Sequence, residues 1–124
     1  MNAYLNLVGR ILLALIFLLS GVGKMFNPTG TIQYMHATGV PGLLFWPTVA
    51  LEVLGGAAIV LGYQTRIAAL ALAAFCVASA LLFHTHFSDQ TQMTMFLKNL
   101  AMAGGFLILA STGATAFSVD RRRA

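Results

Sequence analysis

The sequence predicts an all-α membrane protein, a bundle of four transmembrane helices. Of its 124 residues, 59% are hydrophobic and only 8% are charged, whereas a soluble domain carries about 25% charged residues. Four apolar stretches make up most of the chain, each of about 20 residues, which as a helix spans the roughly 30 Å of a bilayer core. Too few charges remain to cover a water-facing surface, which argues against a soluble four-helix bundle.

The apolar stretches are separated by short polar connections. The first is longer than a signal-peptide core and lacks an A-x-A cleavage site, so we interpret it as a retained helix. A turn at 27–30 and a short amphipathic helix at 31–38 are expected between the first two spans. We predict one domain over residues 1–124, with helices at about 4–23, 43–61, 66–83 and 93–111.

The distribution of basic residues predicts the orientation. Arg10, Arg66 and the arginines at 121–123 lie on the side of the two termini, against Lys24 and Lys98 on the other side. Because cytoplasmic segments carry the excess of Lys and Arg, both termini are predicted to be cytoplasmic, in a bacterial inner membrane. The connections after the first and third helices would then face the periplasm.

Similar motifs recur in the two halves of the chain. Gly9-Arg10-Ile11 opens the first helix and Thr65-Arg66-Ile67 the third, and a glycine pair follows in the second and fourth. This internal similarity suggests a parallel two-plus-two repeat, in which each half of the chain forms one hairpin of two helices. Glycines let membrane helices approach closely, so we expect packing roles for five of them. They are Gly21, Gly55, Gly56, Gly104 and Gly105.

Charges embedded in apolar helices are costly and usually mark function. Glu52 is the only acid within a predicted helix, and Arg10 lies about 9 Å along the first helix. We expect Glu52 to pair with Arg10, Lys98 or both inside the bundle, while Lys24 caps its outer mouth. The alternative is that these charges only lock the helices together.

One carboxylate cannot neutralise three cations. The surplus positive charge favours an anionic or carbonyl-bearing ligand that enters from the outer leaflet. His84, next to Phe83, is a further candidate contact at the membrane surface. The candidate ligand-binding residues are Arg10, Lys24, Glu52, His84, Lys98 and Asn99.

Other functions find less support in the sequence. His84 and His86 would share a face only in an extended turn, and no third ligand has a fixed spacing, so no metal site is predicted. Basic residues scattered singly through apolar helices argue against nucleic-acid binding. Cys76 is the only cysteine, and we interpret it as a small packed residue. The expected partners are membrane lipid and a protein partner or a second copy of the chain.

Short motifs occur in a definite order along nearly the whole chain. They are Arg10-Ile11-Leu12-Leu13, Phe17-Leu18-Leu19-Ser20-Gly21-Val22-Gly23-Lys24, Leu51-Glu52, Gly55-Gly56, Leu61-Gly62, Thr65-Arg66, Phe83-His84, Gln92, Leu97-Lys98-Asn99-Leu100-Ala101 and Gly104-Gly105. As an ordered set they resemble the DoxX family of membrane proteins.

The resemblance implies a four-helix inner-membrane protein. The family takes its name from a subunit of a terminal quinol oxidase and thiosulfate:quinone oxidoreductase system, and other members serve redox defence or detoxification beside a soluble or secreted enzyme. This chain lacks a haem-ligand pair in the membrane and a redox cysteine pair, so it is not itself a terminal oxidase.

We therefore expect a redox-accessory subunit that binds a quinone or a similar lipophilic ligand. Lys98 and Asn99 would donate hydrogen bonds to a carbonyl, and Glu52 would relay a proton. If the chain is enzymatic, it would be a subunit of a quinone-linked oxidoreductase. The alternatives are a non-catalytic scaffold or assembly partner of a soluble or secreted enzyme, and an oligomeric transporter.

Overall fold

The computed structural model describes the backbone of residues 2–123 and the side chains of residues 2–121. The side chains of Arg122 and Arg123, which enter the predicted orientation, lie outside the described residues. Within this range the chain folds into helices joined by short connections. They are α1 (Ala3–Phe26), α2 (Pro28–Ala37), α3 (Phe45–Leu61), α4 (Thr65–Phe83), α5 (Gln90–Thr112) and the short α6 (Val119–Arg123).

Four helices are long and apolar enough to cross a membrane, as the sequence predicts. They are α1, α4, α5 and a continuous helical stretch formed by α3 and the 3₁₀ turn Gly42–Leu44 before it. Large apolar side chains point outward along them; Leu12 on α1 is 65% exposed and Leu54 on α3 is 68% exposed. Such surfaces suit contact with lipid chains.

Helix ends extend beyond the predicted bounds where polar side chains cap them. Residues 27–30 are the first turn of α2 and not a separate turn, since the Asn27 side chain accepts a hydrogen bond of 3.1 Å from the Gly30 N–H. Pro28 is well suited to that first helical position. Similarly, the Asp89 carboxylate caps α5 at the Thr91 N–H, so this helix begins three residues before the predicted start at 93.

The four spans pack in the order α1, α3, α4, α5. The most extensive interfaces join α1 to α3 and α4 to α5, with α3 and α4 in contact between them. α1 and α5 approach each other through Phe17 and Phe106, whose ring centroids lie 5.5 Å apart. These rings belong to a buried core with Ile59 and Leu72.

Glycines mark the closest helix approaches. A Cβ atom at Gly21 would lie 2.7 Å from Cγ2 of Val53, and one at Gly56 would lie 3.0 Å from the Leu18 side chain. Gly55 and Gly105 are likewise faced, at 3.2 and 3.1 Å, by leucines of neighbouring helices. Gly104 differs, because a Cβ atom there would have no neighbour within 4 Å in the described structure.

Candidate ligand-binding site

An ion pair with a buried carboxylate joins α1 to α3 in the half of the bundle at the α1–α2 connection. Glu52 is 3% exposed, and its carboxylate accepts a hydrogen bond from the Lys24 ammonium. Lys24 also donates to the Ser20 hydroxyl, one turn earlier on its own helix, at 3.3 Å. The predicted partners of Glu52 were therefore wrong: neither Arg10 nor Lys98 pairs with it, and Lys24 does.

The direction of helical side chains explains this pairing. The Cα–Cβ bonds of a helix tilt toward its N-terminus, so a long side chain covers the turn before it. For Lys24, near the C-terminal end of α1, that direction leads toward the bundle centre and the level of Gly21, where the backbone of α1 lies against Glu52 and Val53. Lys24 thus points inward and does not extend away from the bundle as a cap.

Lys24 also lines a cavity of about 340 Å³ between α1, α2, α3 and α4, which we call the Lys24 cavity. Its walls are mostly apolar, with aromatic rings from three helices, and a few polar side chains reach it. The lining residues are Lys24, Thr31, Tyr34, Met35, Val40, Leu44, Phe45, Thr48, Phe75, Ala78, Ser79, Leu82, Phe83 and His84.

One side of the Lys24 cavity is formed by the end of α4 and by α2. Tyr34 stacks on Phe83 with ring centroids 5.4 Å apart and planes inclined by 21°. Nδ1 of His84 lies 3.1 Å from Oε1 of Gln92 at the start of α5. In the tautomer that carries its proton on Nδ1, His84 donates to this amide oxygen and Nε2 is left as an acceptor. The cavity therefore has a hydrogen-bond donor in Lys24 and, in this tautomer, an acceptor in His84.

Arg10 lies at the opposite end of the bundle from Lys24 and binds the C-terminal end of α3. Its guanidinium, 1% exposed, donates to the carbonyls of Ile59 and Val60 at 3.2 and 3.1 Å and to that of Phe117 at 2.5 Å. The Ile59 and Val60 carbonyls belong to the last turn of α3, which carries partial negative charge. The Ile59 carbonyl also accepts a hydrogen bond of 3.3 Å from the Gly62 N–H. Arg10 is therefore a cap for α3.

Gly62 allows this arrangement at the end of α3. Its backbone has φ +70°, and a Cβ atom there would lie 2.7 Å from a guanidinium nitrogen of Arg10 and 2.3 Å from Cβ of Ser118. Only glycine combines this left-handed conformation with so close an approach. The close packing at the end of α3 thus explains why residue 62 is a glycine.

The C-terminal segment, residues 113–121, lies across the same end of the bundle. The Asp120 carboxylate accepts hydrogen bonds from the backbone N–H groups of Gln64 and Thr65 at 2.7 and 2.8 Å, and from the Thr65 hydroxyl at 2.6 Å. The Asn6 amide of α1 donates to the Gly113 carbonyl at 3.4 Å. The start of α1, the α3–α4 turn and the C-terminal segment therefore meet at one end.

Lys98 and Asn99 do not join the predicted cluster. Lys98 is exposed on the surface of α5, and in the described part of the chain it forms no ion pair. The same tilt that turns Lys24 inward directs Lys98 toward the Gln90 end of α5, away from the bundle centre. Asn99 is buried, but its amide donates to the Met95 carbonyl of its own helix at 2.9 Å, and it does not line the Lys24 cavity.

Sequence reasoning missed two polar residues that organise the bundle, Asn6 and Asp120. No sequence signal indicated Asp120, because the predicted helix begins at 66 and Thr65 before it is itself a good N-cap residue. In the structure α4 begins at Thr65, and Gln64 at the cap position forms no side-chain capping bond. Among residues 2–121, no group of three or more His, Cys, Asp or Glu side chains is arranged to hold a metal ion.

Four apolar spans around a buried ion pair define a multi-pass integral membrane protein. The chain belongs to the DoxX family, whose family model matches residues 5–85. It is an integral inner-membrane protein of this family, as the names of its relatives also indicate.

Two Escherichia coli K12 proteins are similar over almost the whole chain. Inner membrane protein YqjF is 47% identical over 115 residues, covering 93% of this chain and 88% of the relative. Inner membrane protein YphA is 39% identical over 126 residues, covering 95% and 89%. A Bacillus subtilis protein named putative oxidoreductase CatD is 32% identical over 62 residues, 50% of this chain and 46% of that protein. No solved structure matches the chain significantly.

Proposed function

We propose that this protein binds a planar lipophilic ligand of the quinone class in the Lys24 cavity. The observation that carries the proposal is the cavity itself, about 340 Å³ with mostly apolar walls and one charged lysine. Small-molecule sites are typically about 300–1,000 Å³, mainly apolar, with a few polar groups that fix the ligand's orientation. The head group of a quinone has this combination of an apolar ring and polar edges.

The polar groups of the cavity suit both redox forms of such a ligand. The Lys24 ammonium donates to Glu52 and to Ser20, and its third N–H group donates a hydrogen bond to a quinone carbonyl. His84, in the tautomer that donates from Nδ1 to Gln92, accepts a hydrogen bond at Nε2 from a quinol hydroxyl. Phe83 and Tyr34 offer aromatic faces for the ligand ring. Lys24 and His84 thus replace Lys98 and Asn99 as the proposed polar contacts.

We assign the chain an accessory role in redox chemistry. It holds the ligand, and a partner oxidoreductase, soluble or secreted, exchanges electrons with it. The Bacillus subtilis protein named putative oxidoreductase, which is similar to half of this chain, supports a role in redox chemistry. A purely structural scaffold, the competing function, predicts no ligand in the Lys24 cavity.

Both termini are proposed to face the cytoplasm, with the Lys24 cavity near the periplasmic surface. The meeting of the termini at one end of the bundle, together with Arg66 and Arg121 there, supports this orientation. Cysteines placed by Ser88→Cys and Asn2→Cys test it in intact cells. A membrane-impermeant maleimide should label the first and not the second, and the reverse pattern would contradict the orientation.

The two-plus-two repeat also stays a proposal. The extensive packing of α1 on α3 and of α4 on α5 supports it, since each predicted half is one closely packed helix pair.

Ligand binding is tested with a short-chain benzoquinone and the purified protein in detergent. Lys24→Gln combined with Glu52→Gln removes the ion pair without leaving a lone buried charge, and should weaken binding about tenfold, as expected for one charged hydrogen bond. Lys98→Gln is the matched control, because it removes a lysine from the outer surface of α5, and should leave binding unchanged. Equal affinity in all three proteins, or none in the wild type, would refute the proposal.

A further inference from the structure

A second pocket lies at the end of the bundle where the termini meet, on the opposite side of the molecule from the Lys24 cavity. It has a volume of about 280 Å³ and is formed by the start of α4, the end of α5 and the C-terminal segment. Arg66 and Arg121 both line it, so we call it the arginine pocket. It shares no lining residue with the Lys24 cavity.

The arginine pocket is net positive. Both guanidiniums are exposed, and neither takes part in an ion pair within the described residues. The acid that lines the pocket, Asp120, is held by three hydrogen bonds to Gln64 and Thr65 at the start of α4. Among the lining residues that the structure describes, two arginines face one carboxylate, so one positive charge is left for a ligand.

The shape of the pocket positions one of the arginines. A Cβ atom at Gly113 would lie 3.3 Å from Nε of Arg66, so this side chain lies directly against the main chain where α5 ends. Gly113 has φ +73°, a conformation that favours glycine. The Arg66 side chain is therefore packed across the end of α5, and is not simply extended into solvent.

The lipid-facing surface begins at the pocket. Ile67 lines the pocket and is 67% exposed, and Leu70, one turn further along α4, is 53% exposed. A molecule with an anionic head and apolar tails would place its head between the arginines and its tails along these side chains. A soluble anion would use only the polar half of this surface.

We propose that the arginine pocket binds the phosphodiester head group of an anionic phospholipid. Arg66 and Arg121 donate charge-assisted hydrogen bonds to the phosphate oxygens, as arginine does wherever phosphate is recognised. The acyl chains lie along Ile67 and Leu70. Basic pockets at the ends of transmembrane helices take lipid head groups in this manner.

Native mass spectrometry of the purified full-length protein tests this proposal by titration with phosphatidylglycerol and, separately, phosphatidylcholine of the same chain length. The wild type should bind phosphatidylglycerol more tightly. Arg66→Gln and Arg121→Gln should each weaken that binding about fivefold, the effect of one basic residue near a membrane surface, without changing phosphatidylcholine binding. Lys98→Gln removes the same charge elsewhere and should have no effect.

Equal binding of the two lipids by the wild type would overturn the proposal, as would arginine variants that behave like Lys98→Gln. Displacement of the lipid by millimolar inorganic phosphate would also overturn it, because the pocket would then recognise a free anion. If Arg66→Gln does not fold, wild-type protein still decides the question. Phosphatidylglycerol should slow amide hydrogen exchange at residues 64–67 and 112–114, and unchanged exchange there would contradict the proposal.

Discussion

The Lys24 ammonium and the Glu52 carboxylate form an ion pair that links α1 to α3 inside the membrane-spanning region. The two members differ in environment, since Glu52 is 3% exposed and the Lys24 side chain is 24% exposed. Because of this difference, removing Lys24 and removing Glu52 should reduce the stability of the protein by different amounts.

Lys24→Gln should destabilise the protein more than Glu52→Gln. The first leaves a carboxylate buried without its cation, which costs about 3–5 kcal/mol. The second leaves a lysine that is already partly exposed and can extend along its flexible stem toward the surface, at about 1 kcal/mol. Unfolding by dodecyl sulfate titration in mixed micelles measures both, and the double variant should lie near Glu52→Gln. A larger loss for Glu52→Gln would contradict this account of the pair.

The sequence was sufficient to predict the four spans because their length and apolarity depend on local composition alone. Their ends were less predictable, since α2 and α5 begin where Asn27 and Asp89 supply caps. Capping depends on the geometry of a single side chain, which the hydropathy pattern does not contain.

The candidate site was predictable only in part, and the physical reason is side-chain direction. Depth along the helices correctly indicated buried charges at Arg10 and Glu52. Arg10, however, contacts carbonyls seven and eight residues beyond Glu52 on α3, about 10–12 Å along the helix axis. Which partner each charge meets depends on the tilt of side chains toward the helix N-terminus and on how α1 packs on α3.

Arg10→Ala should loosen the C-terminal segment. The guanidinium donates to the Phe117 carbonyl and to two carbonyls in the last turn of α3, so its removal takes a charged donor from all three. The Ile59 carbonyl keeps the Gly62 N–H as a second donor. Loss of about 3 kcal/mol is expected from hydrogen bonds to a buried charge. Hydrogen exchange should accelerate at residues 113–121, while α2 at the far end keeps its protection. Equal acceleration at both ends would indicate general unfolding and contradict a specific role.

Gly21→Ala and Gly104→Ala form a matched pair for helix packing. The added methyl at Gly21 would meet the Val53 side chain at 2.7 Å, whereas at Gly104 it would meet no atom within 4 Å in the described structure. Overpacking should cost about 1–3 kcal/mol at Gly21. Alanine at Gly104 should be neutral, or stabilising by about 1 kcal/mol through helix propensity. Thermal unfolding in detergent compares them, and a destabilising Gly104→Ala would point to a contact outside this chain.

Asp120→Ala should destabilise the protein more than Asp89→Ala. Asp120 caps α4 from a distant part of the chain through three hydrogen bonds and supports Gln64 at φ 47°. Asp89 caps α5 through one hydrogen bond at an exposed position. We expect losses of about 2 and about 1 kcal/mol for the two caps, measured by the same unfolding assay. Similar losses would show that the C-terminal segment contributes little to the start of α4.

The central claim, that the Lys24 cavity is a quinone site, is tested most directly by photolabelling. A short-chain benzoquinone that carries a photoreactive group is irradiated with the purified protein, and the labelled peptides are identified by mass spectrometry. We expect labelling of α2 and the end of α4, at residues such as Tyr34 and Phe83, and suppression of this labelling by excess unlabelled quinone. Labelling confined to the outer faces of α1 and α5, or labelling that excess quinone leaves unchanged, would contradict it.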